Sequence, residues 1–337
     1  MSTTTTAARA GQESPRALAP AARRIGPLRR AARGLGRFGA LCAIFLLVYA
    51  LAAVAARPRF TTWGTTGDEA GRPLPGDELV ARPDGQSTLA VTIRAPAEQV
   101  YPWLLQLGQG RGGLYSYDFL ENLLGLDMHS ADRILPEFQQ PQVGEPMGYG
   151  PAGHPAASIS PRFVAFDKNR AVLLMSADDT GSWAFVLVPR EDGATRLLLR
   201  TRGSGDESFV SRLVFGYLFD PLSFAMTRKM LLGIQARAEG TVLTPVADAV
   251  EVLLWMAAFV AFFVARFGVF GRRDRRRHAA VAGAALATFL VLLIGRPPVA
   301  LGVIATAGLV GAVAWAYRPA APPAGAAMTP PTPVGAP

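Results

Sequence analysis

Residues 88–107 read Thr-Leu-Ala-Val-Thr-Ile-Arg-Ala-Pro-Ala-Glu-Gln-Val-Tyr-Pro-Trp-Leu-Leu-Gln-Leu, and the hydrophobic period changes halfway through them. Thr88–Arg94 alternates as a strand does, with Leu89, Val91 and Ile93 on one face. Ala95-Pro96-Ala97-Glu98 then opens a helical run from Gln99 to Leu107, closed by Gly108. A strand that feeds straight into a helix makes this the start of a mixed α and β domain.

Downstream the same two periods alternate. A short second helix is expected over 117–124, followed by a loop through His129 and Asp132. Strand-like segments follow at 143–149, 157–166, 171–175, 182–188 and 195–202. They are separated by turn residues such as Asp167-Lys168-Asn169 and Glu191-Asp192-Gly193, which read as an antiparallel meander. A helical run from Asp220 to Glu239 closes the segment. Asp220 is placed to cap it, Pro221 takes its first position, and Leu222, Met226, Met230 and Ile234 recur at four-residue spacing. A helix of that length would cover the sheet.

Ile93-Arg94-Ala95-Pro96-Ala97-Glu98-Gln99-Val100-Tyr101-Pro102-Trp103-Leu104 resembles the opening of START-related, Bet v 1-like domains, the SRPBCC superfamily. The runs 107–134 and 224–239 resemble a membrane-associated bacterial branch of that superfamily, and the resemblance covers about 85–240. It implies an α+β helix-grip domain, a curved antiparallel sheet around a long C-terminal helix. It also implies an apolar cavity between sheet and helix for lipids or other hydrophobic molecules. Which ligand is a matter for the site and not the fold.

Away from this domain the chain is membrane-like. Phe38–Ala56 is uncharged over 19 residues, and three further apolar stretches occupy 252–270, 279–295 and 299–317, each long enough to cross a bilayer. A cleavable signal peptide competes for the first stretch, since Ala53-Val54-Ala55-Ala56 ends it with small residues. The length of the apolar run favours a retained anchor. Residues 1–37 and 318–337 read as disordered, the first basic and the second Pro/Ala-rich, leaving 57–245 as the water-facing domain.

The charge of +9 is uneven: residues 1–56 carry +7, residues 57–245 carry −3 and residues 246–337 carry +5. Arg runs beside apolar spans fit anionic lipid head groups better than nucleic acid. Keeping both Arg-rich segments cytoplasmic puts 57–245 outside and both termini inside. Small residues in the last two spans, Gly283, Gly302, Gly308 and Gly311 among them, suit close packing with each other or with a membrane protein partner. The lone cysteine, Cys42, allows neither an intrachain disulfide nor a cysteine-rich zinc site.

Motifs with chemistry are few. Gly108, Gly110 and Gly113 match G-x-G-x-x-G, but they follow a helix where a dinucleotide loop follows a strand, so no cofactor is expected. The same loop reads as a turn, or as a Gly-permitted mouth that presents Arg111 to an anionic head group. Asp118, Glu121, His129 and Asp132 are the candidates for acid/base work, against the plainer reading of loop-fixing ion pairs. No metal-binding or nucleophile motif accompanies them, so catalysis on a hydrophobic substrate is the alternative to ligand binding. The candidate ligand contacts are Arg111, Tyr115, Tyr117, Trp183, Phe185, Arg200, Met226 and Met230. The reading these support is a membrane-tethered module for a lipid or other hydrophobic small molecule. A structural subunit of a membrane complex is the third possibility.

Overall fold

The computed structural model of the chain describes residues 25–205, 220–241, 245–271 and 275–318. The first 24 residues of the basic arm, the Arg272–Asp274 part of the Arg-rich loop and the tail from 319 lie outside them. The chain divides into two units, 1–44 and 45–337. Among the described residues the first holds only the leading part of helix α1 (Ile25–Thr61). Everything else described below belongs to the second.

The second unit is α+β and is built on a five-stranded antiparallel sheet. Its strands are β1 (Gly85–Ile93), β2 (Arg162–Asp167), β3 (Ala171–Met175), β4 (Gly181–Pro189) and β5 (Thr195–Gly203), in the order β1-β5-β4-β3-β2. Three consecutive hairpins account for four of them. The β2–β3 turn places Asn169 at φ 61° and the β4–β5 turn places Gly193 at φ 78°, conformations that Asn and Gly accept most readily. The first strand then closes the far edge against the last, Leu89 opposite Leu199 and Val91 opposite Leu197.

Alternation sorts the sheet residues onto two faces, and both faces are covered. Leu89, Val91 and Ile93 share one face with Phe185, Leu187, Leu197 and Leu199. Helix α2 (Ala97–Leu105) packs there with Val100 and Leu104, and helix α5 (Asp220–Ala238) with Met230, Leu231 and Ile234. Each of these side chains contributes about 1.5–3 kcal/mol on full burial. The fit at α5 is close. A Cβ added at Gly233 would collide with the Tyr115 carbonyl oxygen. The opposite face, with Ala90, Ala184, Val186 and Leu198, is covered by the segment that precedes β1, through Leu74 and Leu79.

That second cover is held by arginines. Arg196 grips Glu69 with two donors at 2.9 and 2.7 Å. Arg200, 2% exposed, spends its guanidinium on Thr88 Oγ1, Asp77 Oδ2 and the carbonyls of Glu69, Ala70 and Arg72. Hydrogen bonding from Arg196 holds the Glu69 carboxyl down at about 2, from an ordinary 4.5.

Four helices among the described residues contain stretches long and apolar enough to cross a membrane: Cys42–Thr61 in α1, Val246–Gly268 in α6 (Pro245–Gly271), Arg275–Gly295 and Val299–Ala316. The third combines α7 (Arg275–Leu290) with a π-helical turn over Val291–Gly295, and the fourth is α8 (Val299–Ala316). Phe45 and Tyr49 of α1 sit in one apolar cluster with Phe262 of α6 and Leu286 of α7.

Several elements differ from the sequence reading. Helix α1 begins at Ile25, inside the segment read as a disordered arm, because Leu28, Arg29, Arg30, Ala31 and Ala32 are strong helix formers that extend the apolar span backwards. Residues 143–149 form no strand: Gly144 and Met147 donate to the Phe163 and Pro161 carbonyls and Phe163 donates to Glu145, but Pro146 has no N–H and Gly144 turns at φ 92°, so the pairing stays an isolated bridge from Pro146 to Arg162. Pro155–Ser158 is one turn of helix, α4, which takes in the first two residues of the strand expected over 157–166. The His154 ring accepts from the Ala156 N–H at its start, and β2 begins only at Arg162.

Candidate functional site

Helix α5 meets the sheet along part of its length only. Met230, Leu231 and Ile234 are in the core, whereas Asp220, Ser223 and Thr227 on its first two turns, with the buried Phe224 among them, line an open cleft of about 1000 Å³. The sheet side of the cleft is made by the near ends of three strands: Gly85, Ser87 and Leu89 of β1, Gly181 and Trp183 of β4, and Thr201 and Gly203 of β5. Ser176, Asp178 and Thr180 of the β3–β4 turn and Ile159 after α4 add to the rim. The last wall comes from Arg57, Phe60 and Thr61, the final turn of the first candidate span.

The cleft is amphipathic. Phe60 and Phe224 lie ring to ring at 5.7 Å, Trp63 stands edge-on to Phe224 at 6.3 Å, and Trp183 packs against Tyr149 at 6.1 Å. Around these rings the mouth is polar. Arg57 and Asp220 face each other at 3.7 Å, Asp84 accepts from the Gly205 N–H, and Asp178 accepts from the hydroxyls of Ser176 and Thr180 and from the Thr180 N–H. These hydrogen bonds hold the Asp178 carboxyl below its ordinary 3.8.

A second polar cluster joins the sheet domain to the apolar helices. Helix α3 (Asp118–Leu123) is preceded by Tyr117, whose hydroxyl donates to Glu251 of α6 at 2.8 Å and whose ring meets Trp255 at 5.0 Å. Arg296, in the turn between the third and fourth spans, donates to both oxygens of the same Glu251 at 3.2 Å. Lys229 of α5 reaches Asp248 at 2.6 Å, and Arg228 donates to the carbonyls of Leu293 and Ile294. Burial, then the charge of Glu251, pushes the Tyr117 phenol up, so it stays a donor.

The candidate residues from the sequence are dispersed over these features. Of the eight candidate ligand contacts only Trp183 lines the cleft. Phe185 and Met230 are in the core beyond it, and Tyr115 is buried with its hydroxyl on the Trp103 carbonyl. Tyr117 belongs to the junction, and Met226, half-buried, packs against the helix cluster while its carbonyl accepts from Ser116. Arg200 sits on the far face of the sheet.

Arg111 is turned inward. It pairs with Glu145, donates to the Leu105 carbonyl and lies over the Phe138 ring at 4.8 Å. Its glycine loop closes on itself through reciprocal Gly108–Gly113 bonds at 3.0 Å, and the Arg111 and Gly112 N–H groups are spent on Gly108 and Gln106.

The acid/base candidates separate as well. Asp118 accepts from Ser130 N at 2.7 Å and Ser130 Oγ at 2.6 Å, which fixes the following loop. His129 is exposed and contacts Asp127 at 3.1 Å, and Asp132 is exposed. Glu121 is 2% exposed with no hydrogen-bond partner for either oxygen among the described residues, and burial, then the charge of Asp118, raises its carboxyl to about 8. None of the four lines the cleft. No group of three or more His, Cys, Asp or Glu in the described residues could hold a metal ion.

Sequence reasoning passed over Phe60, Ser223, Phe224 and Thr227. The signal for Phe60 was present: it lies four and seven residues after Ala56 and Ala53, continuing a helical stripe past the charged Arg57 and Arg59.

Comparison with known proteins gives distant likenesses. No family model and no curated protein sequence matches the chain. A crystal structure of a Mesorhizobium loti protein matches with 13% identity and a TM-score of 0.26, covering 47% of this chain and all of that one. A solution structure of a Polyketide_cyc-like protein from Corynebacterium glutamicum matches with 18% identity and a TM-score of 0.25, covering 44% of this chain and 88% of that one.

Proposed function

We propose that the chain is a membrane-anchored binding module that takes a lipid or other hydrophobic small molecule into the cleft between the sheet and the first turns of α5. The observation that carries this is the position of the cleft. It is bounded by Arg57, Phe60 and Thr61, the last turn of a candidate membrane span, so its mouth lies where that span leaves the bilayer. A volume of about 1000 Å³ falls at the upper end of small-molecule sites. Aromatic walls beneath a polar rim match a molecule with an apolar body and a polar end. In this reading the sheet and α5 form a helix grip, and the Arg-rich segments hold both termini on the cytoplasmic side against anionic lipids.

Ser223→Trp places an indole in the cleft from an exposed position on α5. Full-length protein extracted in mild detergent is examined by native mass spectrometry. The wild type is expected to carry a co-purifying small molecule and the Ser223→Trp protein to lack it. Equal occupancy of the two proteins, or an empty wild type that takes up no added lipid, refutes the proposal.

A further inference from the structure

Helix α3 has an apolar face that no part of the described chain covers. Phe119, Leu123 and Leu124 are 40%, 61% and 65% exposed, while Leu120 beside them packs into the cluster formed by the candidate spans. Phe119 and Leu123 are four residues apart and share one side of the helix.

The level of this helix is fixed by its own contacts. Tyr117, immediately before α3, donates to Glu251, and Arg296 donates to the same carboxylate. Arg296 lies in the turn that joins the end of the third span at Gly295 to the start of the fourth at Val299. A turn between two spans marks the boundary of the hydrocarbon. The Tyr117 ring reaches further, to Trp255, one helical turn or about 6 Å beyond Glu251 into the span. Glu251, Tyr117 and Arg296 thus set the start of α3 level with the head groups. An apolar face held at that level is covered by acyl chains, as on helices that lie in the membrane interface.

We propose that α3 is an interfacial helix whose Phe119, Leu123 and Leu124 side chains are immersed in the outer part of the bilayer. The sheet domain is then seated in the membrane surface at a point separate from its chain connections, and its orientation over the bilayer is fixed.

The test uses full-length protein, with Cys42→Ser as background, in nanodiscs of neutral lipid at one chain per disc. Spin labels are attached to single cysteines at positions 119, 123 and 124. Glu191, in the β4–β5 turn at the far ends of the strands, is the water control. Val260, exposed in the middle of the second span, is the lipid control. Relaxation by dissolved oxygen and by a water-soluble nickel chelate reports immersion. The expected result is that all three α3 sites lose nickel access and gain oxygen access, as at Val260. Nickel access equal to that at Glu191 overturns the proposal. Protection from both reagents also overturns it, because protein and not lipid then covers the face. The proposal rests on the span reading, and nickel access at Val260 overturns that reading and the proposal together.

Discussion

Replacing Glu121 by Gln tests the electrostatics of the junction with one isosteric change. The carboxyl is 2% exposed and has no hydrogen-bond partner among the described residues. Its ionised form is therefore destabilised by burial first and by the negative charge of Asp118 second, and its pKa is raised from 4.5 to about 8. The sign follows from proton linkage. Between pH 4.5 and 8 the folded chain holds a proton that the unfolded chain releases, so stability is greatest below 4.5 and falls as pH rises to 8. Each unit of separation is worth about 1.4 kcal/mol, which gives a loss of about 3 kcal/mol by pH 7. Most of this is lost between pH 5 and 7, roughly 5–10 °C in melting temperature for a domain of this size. Glutamine cannot ionise. Melting curves of full-length wild type and Glu121→Gln, recorded from pH 5 to 8, should converge at the acid end and separate with rising pH, the variant being the more stable. Parallel curves across that range would show that Glu121 is already ionised, and the reasoning would fail.

Three further outcomes follow from other parts of the fold. Glu69 has its pKa depressed from 4.5 to about 2 through Arg196, so its contribution is complete above 4.5 and is lost as pH falls toward 2. Glu69→Gln should lower the melting temperature at pH 7 and converge on the wild type near pH 2. Gly233→Ala drives a Cβ into the Tyr115 carbonyl oxygen and should cost about 1–3 kcal/mol in denaturant unfolding, whereas Ala at the exposed helical Gly283 meets no neighbour within 4 Å and should not destabilise. Lys229→Met removes the 4% exposed partner of Asp248 and should cost about 3–5 kcal/mol, with Lys229→Met/Asp248→Asn recovering part of it.

The parts legible in the sequence were those encoded by a local period. Leu89, Val91 and Ile93 alternate because only one face of β1 meets α2 and α5, and the 171–175 strand is a short continuous apolar run, Ala-Val-Leu-Leu-Met, that matched its observed bounds. Turn chemistry misled where prolines intervened, since Pro155 starts a helical turn that takes in Ala157 and Ser158, the first residues of the segment read as a strand over 157–166. The cleft was harder to see because it is made by the ends of strands and helices brought together from distant segments. Phe60, Trp183 and Phe224 are separated by more than a hundred residues in one interval, and no spacing rule links them. Arg111 and Arg200 looked available because their partners, Glu145 and Asp77, lie 34 and 123 residues away.

Most direct for the central claim is photocrosslinking from the cleft itself. A benzoylphenylalanine at position 227, on the cleft side of α5, is irradiated in intact membranes, and the full-length protein is analysed by mass. Occupancy of the cleft predicts a discrete adduct of small-molecule mass at position 227 that disappears when Ser223→Trp is added to the same chain. An adduct indifferent to Ser223→Trp, or irradiated protein of unchanged mass, contradicts a ligand held between the sheet and α5.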